Sequence, residues 1–466
     1  MFNAFITIFY NQVIGLSNTL IGIAVMLALI GDAITDPVVG IISDRWHSRH
    51  GRRHPFLFVA PVPLAITLYF IFNPPTAWAG SSGESSQMAL FAWLCVWTIL
   101  SRAFVTLYSV PHLALGGELS SNQEQRSQLF SANTVISYLS GASFAFFAWS
   151  FFLAGRYTRE SDGELIPGHL YAAAYAPLVF TACALIIVAI WFCALGTYKH
   201  VPHLSKAAPK QKGLTVKRFL KQILITLENR NYIFLIIGYF FFMITSGVYD
   251  TLIVFINTYF WELGPEEIRW LGLIAAPGAM VGAICSPILM KRFDRKPVML
   301  VALAGVALFA QLVVDLRLLG WMPENGDPML LPLLLANAAG FYFTIGLGVV
   351  AIMSMIGDVV DENEMLTGKR EEGLYYSARA FFAKAAYSFG HFFAGVALDV
   401  FVHLPFEAVP GQLDDGVLAR LGIAAGPVMS VSAILSLVAY SRYRLNRKRH
   451  REILQALEAK RPLPQE

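Results

Sequence analysis

Apolar residues run through this chain in long blocks broken by short polar stretches, with no alternation that would suggest half-buried strands. NTLIGIAVMLALI (18–30), LYAAAYAPLVFTACALIIVAIWFCALG (170–196) and ILSLVAY (434–440) are examples. Several blocks reach the ~20 residues that carry a helix across a bilayer. Turn signals and charge clusters delimit segments near 2–15, 19–43, 55–74, 88–116, 127–154, 170–196, 232–261, 268–290, 297–319, 329–357, 374–403 and 421–443. The pattern predicts an all-α polytopic membrane protein of about twelve spans. The first segment is short before Gly15-Leu16-Ser17, which points either to a truncated first helix or to a start upstream of Met1.

Composition agrees with this reading. The 466 residues are 56% hydrophobic and only 14% charged, where a soluble domain has about 25% charged residues. Cys95, Cys183, Cys193 and Cys285 all sit inside apolar blocks without metal-ligand spacing, as small packed residues. No basic n-region of a cleavable signal precedes the first block. The net charge of +4 resides in short loops and the tail, so a nucleic-acid partner is not expected. No HExxH, GxSxG or GxxxxGK[ST] stretch occurs, so metalloprotease, hydrolase and ATP-pump chemistry lack their residues.

Charge then orients the segments. Lys and Arg concentrate in DRWHSRHGRRH (44–54), in 199–221, in KRFDRK (291–296), in TGKR (367–370) and in the tail 441–451. Alternate loops such as WMPENGDP have almost none. The positive-inside rule places the basic loops and both termini in the cytoplasm of a cell (inner or plasma) membrane. The long connection divides the chain into a six-span bundle (1–198), a middle loop (199–231), a second bundle (232–443) and a tail (444–466). Each half has a basic turn after its second span, SDRWHSRHGRR and LMKRFDRKP. That echo is the mark of a transporter built from two repeats.

Four polar groups remain where charge is expensive. A charged side chain at mid-bilayer depth costs a few kcal/mol and is a functional candidate by default. Counting about 1.5 Å per residue from the basic ends places Asp36 at about 12 Å, Asp32 and Thr106 at about 18 Å and Lys384 at about 16 Å. Asp32 and Asp36 share a helix face, with Thr35 beside them. Two carboxylates and a hydroxyl are hard oxygen ligands for a monovalent cation; the same pair could instead hold a proton. A third possibility is purely structural, one aspartate being neutralised by Arg102, a turn before Thr106. Pro37 and Pro111 can kink their helices at this level. In the second half Tyr249, Asp250, Asn337, Tyr376 and Arg379 are candidate solute-side residues, and a mutual pair of Asp250 with Arg379 is the alternative reading for those two charges.

Three stretches also carry a resemblance. DAITDPVVGIISDRWHSRHGRRHP (32–55), YSVPHLALGGELSSNQEQRSQL (108–129) and MIGDVVDENEMLTGKREEGLYYSARAFFAKA (355–385) are similar to signatures of the glycoside–pentoside–hexuronide:cation symporters, the melibiose-permease-like branch of the major facilitator superfamily. Order and spacing hold over about residues 10–440. The resemblance implies that Asp32, Thr35, Asp36 and Thr106 line a site for Na⁺, H⁺ or Li⁺, with no other cofactor. Lys384 would link that site to a solute pocket. Asp44, Arg45, Arg52, Asp358, Asp361, Glu364 and Arg370 would make cytoplasmic gating contacts.

The departures concern the solute. Sugar-binding members carry an aspartate where this chain has Ser109 and a tryptophan where it has Leu113. They have an arginine at the position of Thr134 and a tryptophan at that of Val349. The helix 1 contact is not assignable on a short span, Asn11 being the nearest amide. A small sugar or glycoside is the expected solute. The alternative is a lysophospholipid or other amphipath, as in the sodium-dependent lysolipid carriers of the same branch; SFAFFAWSFF (143–152) and YFFFMITSG (239–247) would suit an apolar cleft. A membrane sensor that does not transport is a more distant reading.

Overall fold

The computed structural model describes residues 2–80, 83–119, 122–159, 162–203 and 223–460; most of the expected middle loop and the last tail residues lie outside them. Eleven of the described helices are long and apolar enough to cross a membrane. In chain order the helices are α1 (Phe2–Ile8), α2 (Asn18–Arg45), α3 (His54–Val59), α4 (Pro61–Ile71), α5 (Glu84–Glu118), α6 (Gln123–Phe147) and α7 (Ala172–Tyr198). They continue with α8 (Arg230–Phe255), α9 (Pro265–Phe293), α10 (Arg295–Leu318), α11 (Leu330–Thr367) and α12 (Glu372–Val396), then α13 (Asp415–Ile423), α14 (Met429–Ser441) and α15 (Arg447–Lys460). A two-stranded antiparallel hairpin, Arg156–Thr158 with Leu165–Pro167, decorates the loop after α6.

The expected spans recur with three differences. The third is split into α3 and α4 at Ala60, where Pro61 and Pro63 remove backbone donors. The tenth runs on to Thr367, so the acidic cluster 358–364 is helical, and Gly368 at φ 72° closes that helix in the left-handed conformation. The tail, to which the apolar pattern assigns no segment, carries α15.

The chain forms two compact units. The first comprises Met1–Val216, Ile253–Arg269 and His391–Leu418; the second comprises Lys217–Leu252, Trp270–Gly390 and Ala419–Glu466. In the first, α2 packs along α5, and α4 fits between α5 and α7. The end of the first unit away from the basic loops is tightly tied. A Cβ on Gly395 would lie 2.3 Å from the Asn18 carbonyl oxygen, so only glycine lets these backbones approach. Gln12 accepts from the Tyr259 hydroxyl (3.0 Å) and the Ala408 N–H (2.9 Å) and donates to the Pro405 carbonyl (3.1 Å).

In the second unit, α10 packs on α11 and α14. Glycines again set the closest crossing: a Cβ on Gly282 would meet the Phe343 carbonyl oxygen at 2.0 Å, and one on Gly346 the Ala279 oxygen at 2.1 Å. The second and fourth spans of each half are therefore both packed partners. The core around Tyr232, Leu235, Met355, Val359 and Tyr440 is fully enclosed.

Candidate functional site

Helices α2 and α5 run side by side, and this brings two i,i+4 strips together. Asp36 Oδ1 accepts a hydrogen bond from Thr106 Oγ1 at 2.9 Å. One turn away, Arg102 Nη1 stands 3.6 Å from Asp32 Oδ2, a Coulombic contact longer than a hydrogen bond. Both pairs are 70 residues apart, as two parallel helices in one register require. Asp32 is 5% exposed; a carboxylate so buried needs a compensating charge. Thr35 lies on the same helix but turns its hydroxyl onto the Asp32 carbonyl, 3.4 Å away. Ser109 is half-buried one turn beyond Thr106. Leu113 is apolar and 59% exposed, and Thr134, also exposed, donates its hydroxyl to the Phe130 carbonyl of its own helix (2.9 Å).

The second-half candidates all lie in the second unit. Lys384 is half-buried on α12. Arg379 donates to the Tyr239 hydroxyl at 2.8 Å and lies over that ring, while Asp250 accepts from Tyr387 at 2.9 Å. Arg379 and Asp250 thus each meet a tyrosine. Tyr249 stacks on Phe341 with centroids 4.3 Å apart. Tyr376 donates to the Met353 carbonyl and Asn337 to that of Phe309, both tying helices together. Asn11, in the first unit, is fully buried and donates to the Leu16 carbonyl.

The basic ends hold charge clusters. In the first unit Arg53 joins Asp44, Ser43 and Glu118, the last at 3.1 Å, and Arg52 meets Glu118 at 2.8 Å. Arg45 is exposed. In the second, Arg295 pairs with Asp358 at 3.1 Å, and Arg370 reaches Asp361 (3.1 Å) and Glu364 (2.9 Å). His450 of α15 lies between the acids, 3.0 Å from Asp361 and 3.5 Å from Asp358. The two sequence echoes therefore do equivalent things. In each half an arginine from the turn after the second span neutralises an acid near the end of the fourth.

Several of these residues escaped sequence reasoning. Arg53 and Arg52 are adjacent and indistinguishable by type; only the packing shows that Arg53 is the buried one, at 4% exposure. Arg295 and His450 lie in ordinary basic stretches. Asp399, however, is a lone charge in the apolar run GVALDVFV, the same signal that singled out Asp32. It caps α2, accepting from the backbone N–H groups of Asn18 (3.1 Å) and Thr19 (2.7 Å) and from the Ser17 hydroxyl (2.5 Å). A carboxylate is favoured there by the helix dipole.

Apolar spans, two repeated charge clusters at their ends and a carboxylate strip buried between helices are the features of a multi-pass membrane transporter with the major facilitator fold. The chain belongs to the family described as MFS/sugar transport protein, which matches residues 1–447. It is 26% identical to the uncharacterized symporter YnaJ of Bacillus subtilis (strain 168), over 98% of this chain and 90% of that one. It is 24% identical to the putative glycoside/cation symporter YagG of Escherichia coli (strain K12), over 82% and 75%. Among solved structures, the inward open conformation of the xylose transporter XylE from E. coli superposes with a TM-score of 0.59 at 15% identity, covering 98% of this chain and 95% of that one. That likeness concerns the fold.

Proposed function

We propose that this protein is a cation-coupled symporter for a small organic solute, a sugar or glycoside. The observation that carries the proposal is the pairing of Asp36 with Thr106 beside Asp32 and Arg102. Two carboxylates and a hydroxyl are hard oxygen ligands that one Na⁺, Li⁺ or H⁺ can occupy and partly neutralise. Neutralisation lowers the cost of carrying these side chains past hydrocarbon, which couples movement of the protein to cation occupancy. Thr106 can turn its hydroxyl to offer a lone pair once a cation sits on Asp36.

The relative described as a glycoside/cation symporter supports the solute class, while Ser109, Leu113, Thr134 and Val349 argue for a solute read differently from melibiose. Lys384 is assigned the coupling role, and the clusters around Glu118 and Asp358 the gating role. The basic loops and both termini face the cytoplasm of the cell membrane by the positive-inside rule. The test is uptake into proteoliposomes of a radiolabelled glycoside panel with and without a Na⁺ or proton gradient. Asp36→Asn is expected to abolish the gradient-dependent component while the protein remains inserted, and Lys384→Ala to abolish or uncouple it. Undiminished stimulation in Asp36→Asn overturns the assignment.

A further inference from the structure

At the basic end of the first unit, α3 begins and α7 finishes beside each other. The two adjoining loops are in contact, because the turn at Gly51 (φ +78°) places its Cα where a Cβ would lie 3.1 Å from Val201 Cγ1. Between the helices runs an open groove of about 400 Å³, lined by His50, Pro55, Phe58, Val59, Leu195 and Tyr198. Val59 and Leu195 are 62% and 66% exposed, so the groove opens on the outer, lipid-facing side of the helices. Its walls are apolar and its polar atoms gather at one end, the imidazole of His50 and the hydroxyl of Tyr198.

That polar mouth has a defined donor arrangement. Arg49 Nε, which can only donate, lies 3.0 Å from His50 Nε2; Nε2 is then the acceptor and the imidazole proton sits on Nδ1. Nδ1 lies 2.8 Å from the Tyr198 oxygen and donates to it, which leaves the Tyr198 O–H to donate elsewhere. The mouth is also cationic. The stretches WHSRHGRRHP (46–55) and TYKHVPH (197–203) contain no acid. Arg52 and Arg53 are taken by Asp44 and Glu118, whereas Arg49 and Lys199 are exposed at the surface.

We infer that this groove is a binding site for an anionic phospholipid, with an acyl chain along Phe58, Val59 and Leu195 and the phosphate at Arg49, Tyr198 and Lys199. The level is right for it: the mouth lies at the helix ends where headgroups begin, and the groove follows the helices toward the hydrocarbon. Basic pockets between spans on this side of a membrane take anionic headgroups, each cation adding to the attraction near a charged surface. A zwitterionic lipid fills the groove equally well but lacks the net charge, and free phosphate has the charge but no chain.

The experiment uses the full chain purified in a neutral detergent. Its melting midpoint is followed as phosphatidylglycerol, phosphatidylcholine or inorganic phosphate is added at constant ionic strength. Ligand that binds only the folded state raises the midpoint. Phosphatidylglycerol is expected to raise it by several degrees more than phosphatidylcholine, with inorganic phosphate inert. In the double variant Arg49→Gln/Lys199→Gln the excess should vanish while the phosphatidylcholine response persists. Leu195→Trp, which fills the groove and keeps both cations, should lose the excess as well. Equal responses to the two lipids in the wild type, a response reproduced by inorganic phosphate, or an excess retained in either variant overturns the proposal. The wild-type lipid comparison decides even if a variant fails to fold.

Discussion

At the scale of single residues, the chemistry of the proposed cation site rests on one hydroxyl as much as on the carboxylates. Thr106 is 2% exposed and its Oγ1 donates to Asp36, so it can ligate in place of water. Thr106→Val keeps the shape and removes the oxygen; Thr106→Ser keeps the oxygen. A lost hydrogen-bonding oxygen amounts to about 1–1.5 kcal/mol, close to tenfold in affinity. The expected outcome is a rise of about that size in the half-saturating cation concentration for valine and a small change for serine, measured by cation-dependent uptake. That Asp32, Asp36 and Thr106 lie close together was legible in the sequence because span ends can be counted, although the count sets Thr106 level with Asp32 and the structure pairs it with Asp36, one turn on. The contact of Arg102 with Asp32 entered there as one of three open readings; the structure brings the two together without deciding the cation chemistry.

Elements here are held by close backbone approach and by buried loops. Gly282 of α9 and Gly31 of α2 look alike in sequence, each an interior glycine of an apolar helix. A methyl at Gly282 meets backbone at 2.0 Å, whereas one at Gly31 has nothing within 4 Å. Gly282→Ala should therefore lower the melting midpoint, overpacking costing about 1–3 kcal/mol. Gly31→Ala should leave it unchanged or raise it slightly, alanine being the better helix former by up to about 1 kcal/mol. The loop after the hairpin adds a pH dependence. His169 is fully buried with Thr258 Oγ1 2.9 Å from its Nε2, and burial pushes the imidazole down to about 3. In the unfolded chain it titrates near 6.5, so between these values the unfolded state binds the extra proton. Stability contributed by neutral His169 is present above about pH 6.5 and falls as pH drops. The melting midpoint of His169→Gln should accordingly decline less steeply than that of the wild type between pH 6.5 and pH 4.5.

At the scale of the whole molecule, the repeat is one of charge placement as well as of span count. Glu118 bridges Arg52 and Arg53 in one half, with Asp44 as the second carboxylate, and Asp358 pairs with Arg295 in the other. Removing one partner of a buried pair leaves an uncompensated charge, a loss of about 3–5 kcal/mol when burial is complete. Glu118→Gln and Asp358→Asn are each expected to lower the melting midpoint, Glu118→Gln because Arg52 then loses its carboxylate and the enclosed Arg53 keeps only Asp44.

The amino-acid sequence by itself determined the place of the spans and which charges lie inside them. Both follow from transfer of each segment into hydrocarbon, a local property of about twenty residues. Tertiary structure decided partners. In α4 every face is apolar, so no stripe says which side is buried. Arg53 rather than Arg52 is enclosed, Asp399 caps α2 from 381 residues away in the chain, and His450 of the last helix meets Asp361. Each of these choices depends on where distant backbone arrives, which the preference of a segment for hydrocarbon does not encode.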